Sequence, residues 1–333
     1  MTARNHHFVP QCYLKGFVRH RDKPKLFVVD RQNRTAFQTH PRNVAAERDF
    51  HAIDLEGHAP DALEGALAQF EGQLADALGR IIADREIRSE DDRVYLLNLV
   101  AMLAVKNPRH RRSFMDFQER LYDMIGDVVT ANDTIWNSQM RQVKEAGFIE
   151  KESAVTRKQA RDFLQRGEYT IDMNTGYQVG LELNALDTVL RCCADRHWIL
   201  LRAPPDSPGF ITSDHPVCLF WSDLNMRSGL LPPGHGMKAT EVLFPISSGL
   251  AWIGTFEHPA RIIDATEEKV RTFNAAVLSV CHRQVYGTDG DCAYQAHPGD
   301  KPRRLRELPY DGRFAARKET KTKMRIALPR REA

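Results

Sequence analysis

Two histidines stand side by side near the start of the chain, in Asn5-His-His-Phe-Val-Pro-Gln11. Imidazole gains or loses a proton near neutral pH and is a common metal ligand, so His6 and His7 are candidates for a general base or a metal ligand. In extended backbone, neighbours point to opposite faces, so only one can aim into a given site while the other packs or orients. The alternative is a structural pair whose ring nitrogens are hydrogen-bonded within the scaffold. A second constellation is Phe210-Ile-Thr-Ser-Asp-His-Pro-Val217. Ser and Asp favour turns by bonding nearby backbone, and Pro216 disfavours a helical conformation at His215. One reading is a tight turn. The other presents Asp214 and His215 to a cleft at a sheet edge, where a carboxylate coordinates a divalent cation or orients an imidazole. The third is Lys106-Asn-Pro-Arg-His-Arg-Arg112. Arg109, Arg111 and Arg112 can clamp a phosphate with bidentate guanidinium bonds, or lie solvated at a helix start beside the acidic Glu90-Asp-Asp92.

Other chemistries find no support. The chain has no GxGxxG or GxxxxGK[ST] loop, no HExxH and no GxSxG. Thr288-Asp-Gly-Asp291 lacks the later ligands of a calcium loop and reads as a turn. The six cysteines, at 12, 192, 193, 218, 281 and 292, show no CxxC spacing and read as small core hydrophobes in a reducing compartment. There is no apolar leader and no apolar run of about 18 residues, so the expected setting is the cytoplasm, without a membrane.

The elements that must position these residues follow from periodicity. Residues 25–30 and 35–39 flank a turn and predict a β-hairpin. Residues 61–84 place Leu63, Leu67, Phe70, Leu74, Leu78 and Ile81 on one helical face. A second helix is expected after Ser89, capped with Asp92, and a third over 114–128; 156–166 and 179–194 are further helices. From residue 196 the pattern changes to short apolar runs at 197–201, 209–212, 217–220, 241–244 and 250–254, then a helix over 265–279 and a strand at 283–286. A block of helices between runs of strands predicts an α+β protein: a mostly antiparallel sheet from the N-terminal hairpin and the C-terminal third, with a large helical block between. Residues 1–300 are expected to form a single domain, with 60–195 as a helical insertion or subdomain. The net charge is +3, but residues 301–333 alone carry +8, a basic tail able to contact phosphates or an acidic partner.

His-His-x-Val-Pro resembles the opening of the His-Asn-His nucleases, in which one histidine activates water and another helps bind the metal. Asn43, Glu47 and His51 have helical periodicity. The resemblance implies Asn43 as the orienting side chain and His7 and His51 as metal ligands, to which Asp214 of the second constellation adds a candidate third. The whole chain resembles the bacterial domain-of-unknown-function family 4238. The residues concerned are Asn5-His-His-Phe-Val-Pro-Gln-x-Tyr-Leu-Lys-Gly-Phe17, Lys25-Leu-Phe-Val-Val-Asp30, Asn43-Val-Ala-Ala-Glu-x-Asp-Phe50, Phe210-Ile-Thr-Ser-Asp-His-Pro-Val217, Phe244-Pro-Ile-Ser247, Asn274 and Arg283-Gln-Val-Tyr286. The family pattern often has Tyr at 51 and Asn at 215. His6, His7, Gln11, Tyr13, Asp214 and Asn274 are therefore the stronger site candidates.

The leading expectation is a metal-assisted phosphodiesterase or nuclease, with His6, His7 and Asp214 catalytic and a divalent metal as cofactor. Gln11, Tyr13, Asn43, His215, Asn274, Arg109 and Arg112 would contact a nucleic acid or phosphate-bearing ligand. The alternative is a non-enzymatic ligand- or nucleic-acid-binding regulatory protein built on the same residues.

Overall fold

Short apolar runs bounded by Gly and Pro, and long runs at helical spacing, become strands and helices as expected in the computed structural model. It describes residues 5–20, 22–48, 50, 62–150, 154–167, 169, 175–223, 225–226, 231–297 and 299–314. The first elements are β1 (Asn5–His7), α1 (Gln11–Leu14), β2 (Leu26–Asp30), β3 (Thr35–Thr39) and β4 (Ala46–Arg48). The helices α2 (Ala62–Asp84), α3 (Glu90–Val105), α4 (Pro108–Val129), α5 (Asp133–Glu145), α6 (Arg157–Arg166) and α7 (Thr175–Ala194) follow. Then come β5 (His197–Arg202), β6 (Thr212–Ser213), β7 (Cys218–Trp221), β8 (Thr240–Ser247), β9 (Leu250–Thr255), β10 (Arg261–Asp264), α8 (Glu267–Val280), β11 (Gln284–Gly287), β12 (Ala293–Tyr294) and β13 (Arg303–Arg304).

Two sheets carry the fold. One is five-stranded, ordered β10-β5-β9-β8-β7, antiparallel except for the β10–β5 edge. The other is β3-β2-β11-β6, antiparallel throughout, so the N-terminal hairpin does join C-terminal strands. Strand β5 reads as an unbroken apolar run because both its faces are covered. On β5, Trp198 and Leu200 pack with α2, α3 and the N-terminal Phe8, Tyr13 and Phe17. Ile199 and Leu201 pack on the other side with α8 residues Val270, Phe273 and Val277. The protein is α+β, with a helical block in the middle of the chain.

The chain divides into two compact units. Among the described residues, 5–108 and 175–314 form the first, and those between 109 and 169 the second. Helices α2, α3 and α7 thus belong with the sheets. In the second unit Thr156 and Gln159 form a capping box on α6, whose C-cap Gly167 is left-handed (φ 63°). Asn132 caps α5 by accepting from the Ile135 N–H at 2.9 Å.

Two local expectations need correction. The 43–51 stretch is not a helix where it is described. Pro41–Asn43 is a short 3₁₀ turn, and β4 runs antiparallel to β1. Ser89 stands at the N-cap of α3 but makes no side-chain cap bond. Asp92 is instead buried and receives the Arg80 guanidinium, with Nε 3.2 Å from each carboxylate oxygen.

The described C-terminal residues are held by Asp311, which is buried and accepts from Tyr294 Oη at 2.9 Å and Arg313 Nη2 at 2.8 Å. The Arg313 guanidinium outweighs burial and, with Tyr294, holds the carboxyl down at about 2, against an ordinary 3.8. A depressed folded-state pKa stabilises fully above the unfolded value and loses that contribution as pH falls through the folded one. Asp311→Asn is therefore expected to cost about 2 kcal/mol at neutral pH, a figure reduced for the half-exposed arginine. The gap to wild type should close as pH falls from 3.8 to about 2, read as urea midpoints across pH. A gap that stays constant through this window would contradict the assignment.

Candidate functional site

The antiparallel register pairs His6 with Glu47 and His7 with Ala46, and the strand's alternation separates the two rings. His6 is buried. His7 is half-buried, and its Nδ1 lies inside without a hydrogen-bond partner among the described residues. Burial lowers the His7 pKa, partly offset by the backbone of Val44 and Ala45, which favours the neutral ring. Gln11 opens α1 and is half-buried.

Tyr13 is fully buried, and its hydroxyl bridges Thr212 Oγ1 and the Pro245 carbonyl, both at 2.7 Å. Its ring stacks on Phe244 at 5.3 Å. This ties the opening motif to the Thr-Ser-Asp-His-Pro turn.

In that turn the Ser213 hydroxyl accepts from the His215 N–H at 3.1 Å, and the Asp214 N–H donates to the Gln284 carbonyl at 2.9 Å. The buried Asp214 carboxylate accepts three backbone N–H groups, from His282 at 3.0 Å, Arg283 at 2.6 Å and Gln284 at 2.8 Å. These donors lie between the end of α8 and the start of β11. The carboxylate holds a chain crossing, and each oxygen already has a backbone donor. Asn274, on α8 and fully buried, acts similarly. It accepts from the Ile211 N–H at 3.0 Å and donates to the Gly209 and Ala293 carbonyls at 3.1 and 2.8 Å.

His215 is held differently. Asn107, buried just after α3, points its amide nitrogen at both the Asp214 carbonyl (3.1 Å) and His215 Nδ1 (2.8 Å). A carbonyl only accepts, so the first contact fixes which end of the amide is nitrogen. Nδ1 of His215 must then accept, and the ring proton sits on Nε2. A second proton at Nδ1 would face the amide's own N–H. His215 is itself buried, and the contact selects the tautomer that carries its proton on Nε2. Asn107 lay within the basic cluster, where arginines drew attention; its signal was an amide directly before Pro108 at a helix end.

The other candidates do not gather here. Asn43 is exposed and donates to Thr39 Oγ1 at 2.9 Å. Arg112 is exposed on α4, within the second unit. His51, the side chain of Arg109 and the tail after residue 314 lie outside the described residues. Among the described residues no three His, Cys, Asp or Glu side chains converge as a metal set. Burial pushes the Cys12 and Cys193 thiols up to about 12, so both stay protonated core groups.

Two cavities among the described residues of the first unit bear on the site. A cleft of about 620 Å³ is lined by Arg85, Arg88, Arg202, Asp84, Glu86 and Asp264. Its arginines already have partners: Arg85 Nη2 donates to the Ala203 carbonyl at 2.6 Å and Arg202 Nε to the Arg85 carbonyl at 2.7 Å. The other is a chamber of about 150 Å³ between α2, α3 and α7, lined by Phe70, Met102, Val179, Leu183, the acidic Glu182 and the buried Lys106. Lys106 is the chain neighbour of Asn107, so the chamber and the His215 clamp begin at the same helix end.

Antiparallel sheets under helices, with the opening motif fastened to a Thr-Ser-Asp turn, define an α+β protein whose motif residues converge on one junction. A family model described as a protein of unknown function (DUF4238) matches residues 5–291, and the chain belongs to that family. No curated protein and no solved structure matches it. No helix among the described residues is long and apolar enough to cross a membrane.

Proposed function

We propose that the protein binds a phosphate-bearing small ligand without hydrolysing it, with His215 as a hydrogen-bond donor. The observation that carries this reading is the Asn107 amide, bonded at once to the Asp214 carbonyl and to His215 Nδ1. A ring fixed as a neutral Nε2–H donor suits recognition of an oxyanion and does not suit removal of a proton from water. Asp214 has its oxygens occupied by backbone N–H groups and does not orient that ring as a catalytic carboxylate would. The chamber beside Lys106 adds apolar walls at the same helix end, with Lys106 and Glu182 as its charged groups.

A metal-assisted phosphodiesterase is the second reading, and one observation favours it. His7 is half-buried with its pKa lowered by burial, and its buried Nδ1 has no hydrogen-bond partner among the described residues, which suits an imidazole able to take a proton or a metal.

Titration calorimetry with inorganic phosphate, nucleoside monophosphates and short oligonucleotides, run beside a cleavage assay with Mg²⁺, Mn²⁺ or Zn²⁺, separates the two. Saturable binding without cleavage is expected, weakened about tenfold or more by His215→Phe in protein that keeps its circular dichroism. Metal-dependent cleavage that His7→Ala abolishes would overturn the binding reading in favour of the second. Absence of both binding and cleavage would overturn both.

A further inference from the structure

Within the second unit α4 has two unlike sides. On one, Gly126 lies so close to α6 that an added Cβ would come within 2.8 Å of Leu164 Cδ1, and Asp123 accepts from Tyr169 Oη at 2.5 Å. On the opposite side, at 3.6 residues per turn, lie Phe117, Leu121, Met124, Ile125 and Val128. All five are exposed, Phe117 at 58% and Ile125 at 47%. A contiguous apolar stripe over three turns marks an interaction surface.

The flanking charges choose its occupant. Arg120 and Asp127, both exposed, stand on the same flank of the stripe. The other flank carries Gln118 and Tyr122. When two copies of one helix pack antiparallel about a twofold axis, like flanks face each other; when they pack parallel, unlike flanks do. A parallel pair would set Arg120 and Asp127 against Gln118 and Tyr122. An antiparallel pair that lays Phe117 against Val128 and Leu121 against Met124 brings Arg120 within reach of Asp127 on the second copy, and symmetry repeats the ion pair. We infer that α4 is a homodimer interface, two copies packing antiparallel through this stripe with two Arg120–Asp127 ion pairs along its edge.

Sedimentation velocity over a concentration series tests this on the full chain. Wild type should show a concentration-dependent dimer. Leu121→Asp, an exposed position whose substitution leaves the monomer's circular dichroism unchanged, should be monomeric. Arg120→Asp and Asp127→Arg should each raise the dimer dissociation constant by about tenfold or more, and the double exchange should restore it. Wild type that stays monomeric throughout, or a dimer that survives Leu121→Asp, would overturn the interface. Single exchanges without effect, or a double exchange that fails to restore a dimer both singles weaken, would overturn the antiparallel register.

Discussion

Replacing Asp214 with alanine is expected to remove about 4 kcal/mol of stability. The carboxylate is buried and takes three backbone N–H groups at 2.6 to 3.0 Å, from three successive residues. Hydrogen bonds to a charged acceptor contribute roughly 1.5–3 kcal/mol each, and donors left without a partner add their own desolvation cost. The full sum is not reached, because the 282–284 segment is only partly buried and water can replace part of what is lost. Asp214→Asn retains one acceptor oxygen and should fall between the two. Urea unfolding followed by far-ultraviolet circular dichroism gives both values. A loss below about 1 kcal/mol for Asp214→Ala would mean that the carboxylate is not the clamp of this crossing.

Gly209→Ala is expected to be at least as damaging. Gly209 has φ +84°, and a Cβ there would lie 1.9 Å from the Ser248 carbonyl oxygen. That oxygen accepts from the Phe210 N–H at 2.8 Å, and the Ser248 N–H donates to the Gly16 carbonyl at 3.0 Å. Neither backbone can withdraw without breaking the link between the opening segment and the β8–β9 turn. Gly147→Ala is the matched control, with φ +75° but nothing within 4 Å of the added Cβ. The control should lose only the left-handed preference of glycine, about 1 kcal/mol, while Gly209→Ala loses about 4 kcal/mol or fails to fold. Equal losses at the two positions would show that the close approach to Ser248 is not what requires glycine.

Elements governed by their own apolar spacing were legible before the structure. The 25–39 hairpin, α2, α3, α8 and the strands β5, β7, β8, β9 and β11 carry a regular apolar pattern and form where it places them. The expected 209–212 strand forms only as Thr212–Ser213, and the short β10, β12 and β13 were not legible. The 43–51 stretch misled because its helical repeat consists of polar residues, Asn43, Glu47 and His51, which have no face to bury. Its described part takes its conformation from pairing with β1, a partner some forty residues away that local pattern does not reveal. Helix α5 carries a readable signal that the periodicity reading passed over, Asn132 as cap and then Trp136, Met140 and Val143 at helical steps. Asp214 shows the same limit at the level of chemistry. Asp-His before Pro identifies a turn that matters, but whether the carboxylate serves a cation or the backbone depends on residues 282–284, which only the fold brings there. For Asn107, nothing in the string Lys-Asn-Pro-Arg tells that its amide crosses to the turn at 214–215.

The state of the His215 ring carries the functional reading, and long-range ¹H–¹⁵N correlation of the histidine side chains observes it directly. Where the ring is neutral, the predicted result is a proton on Nε2, and Asn107→Ala should release that preference. A neutral ring protonated on Nδ1 would contradict the clamp and with it the assignment of His215 as a donor in a binding site.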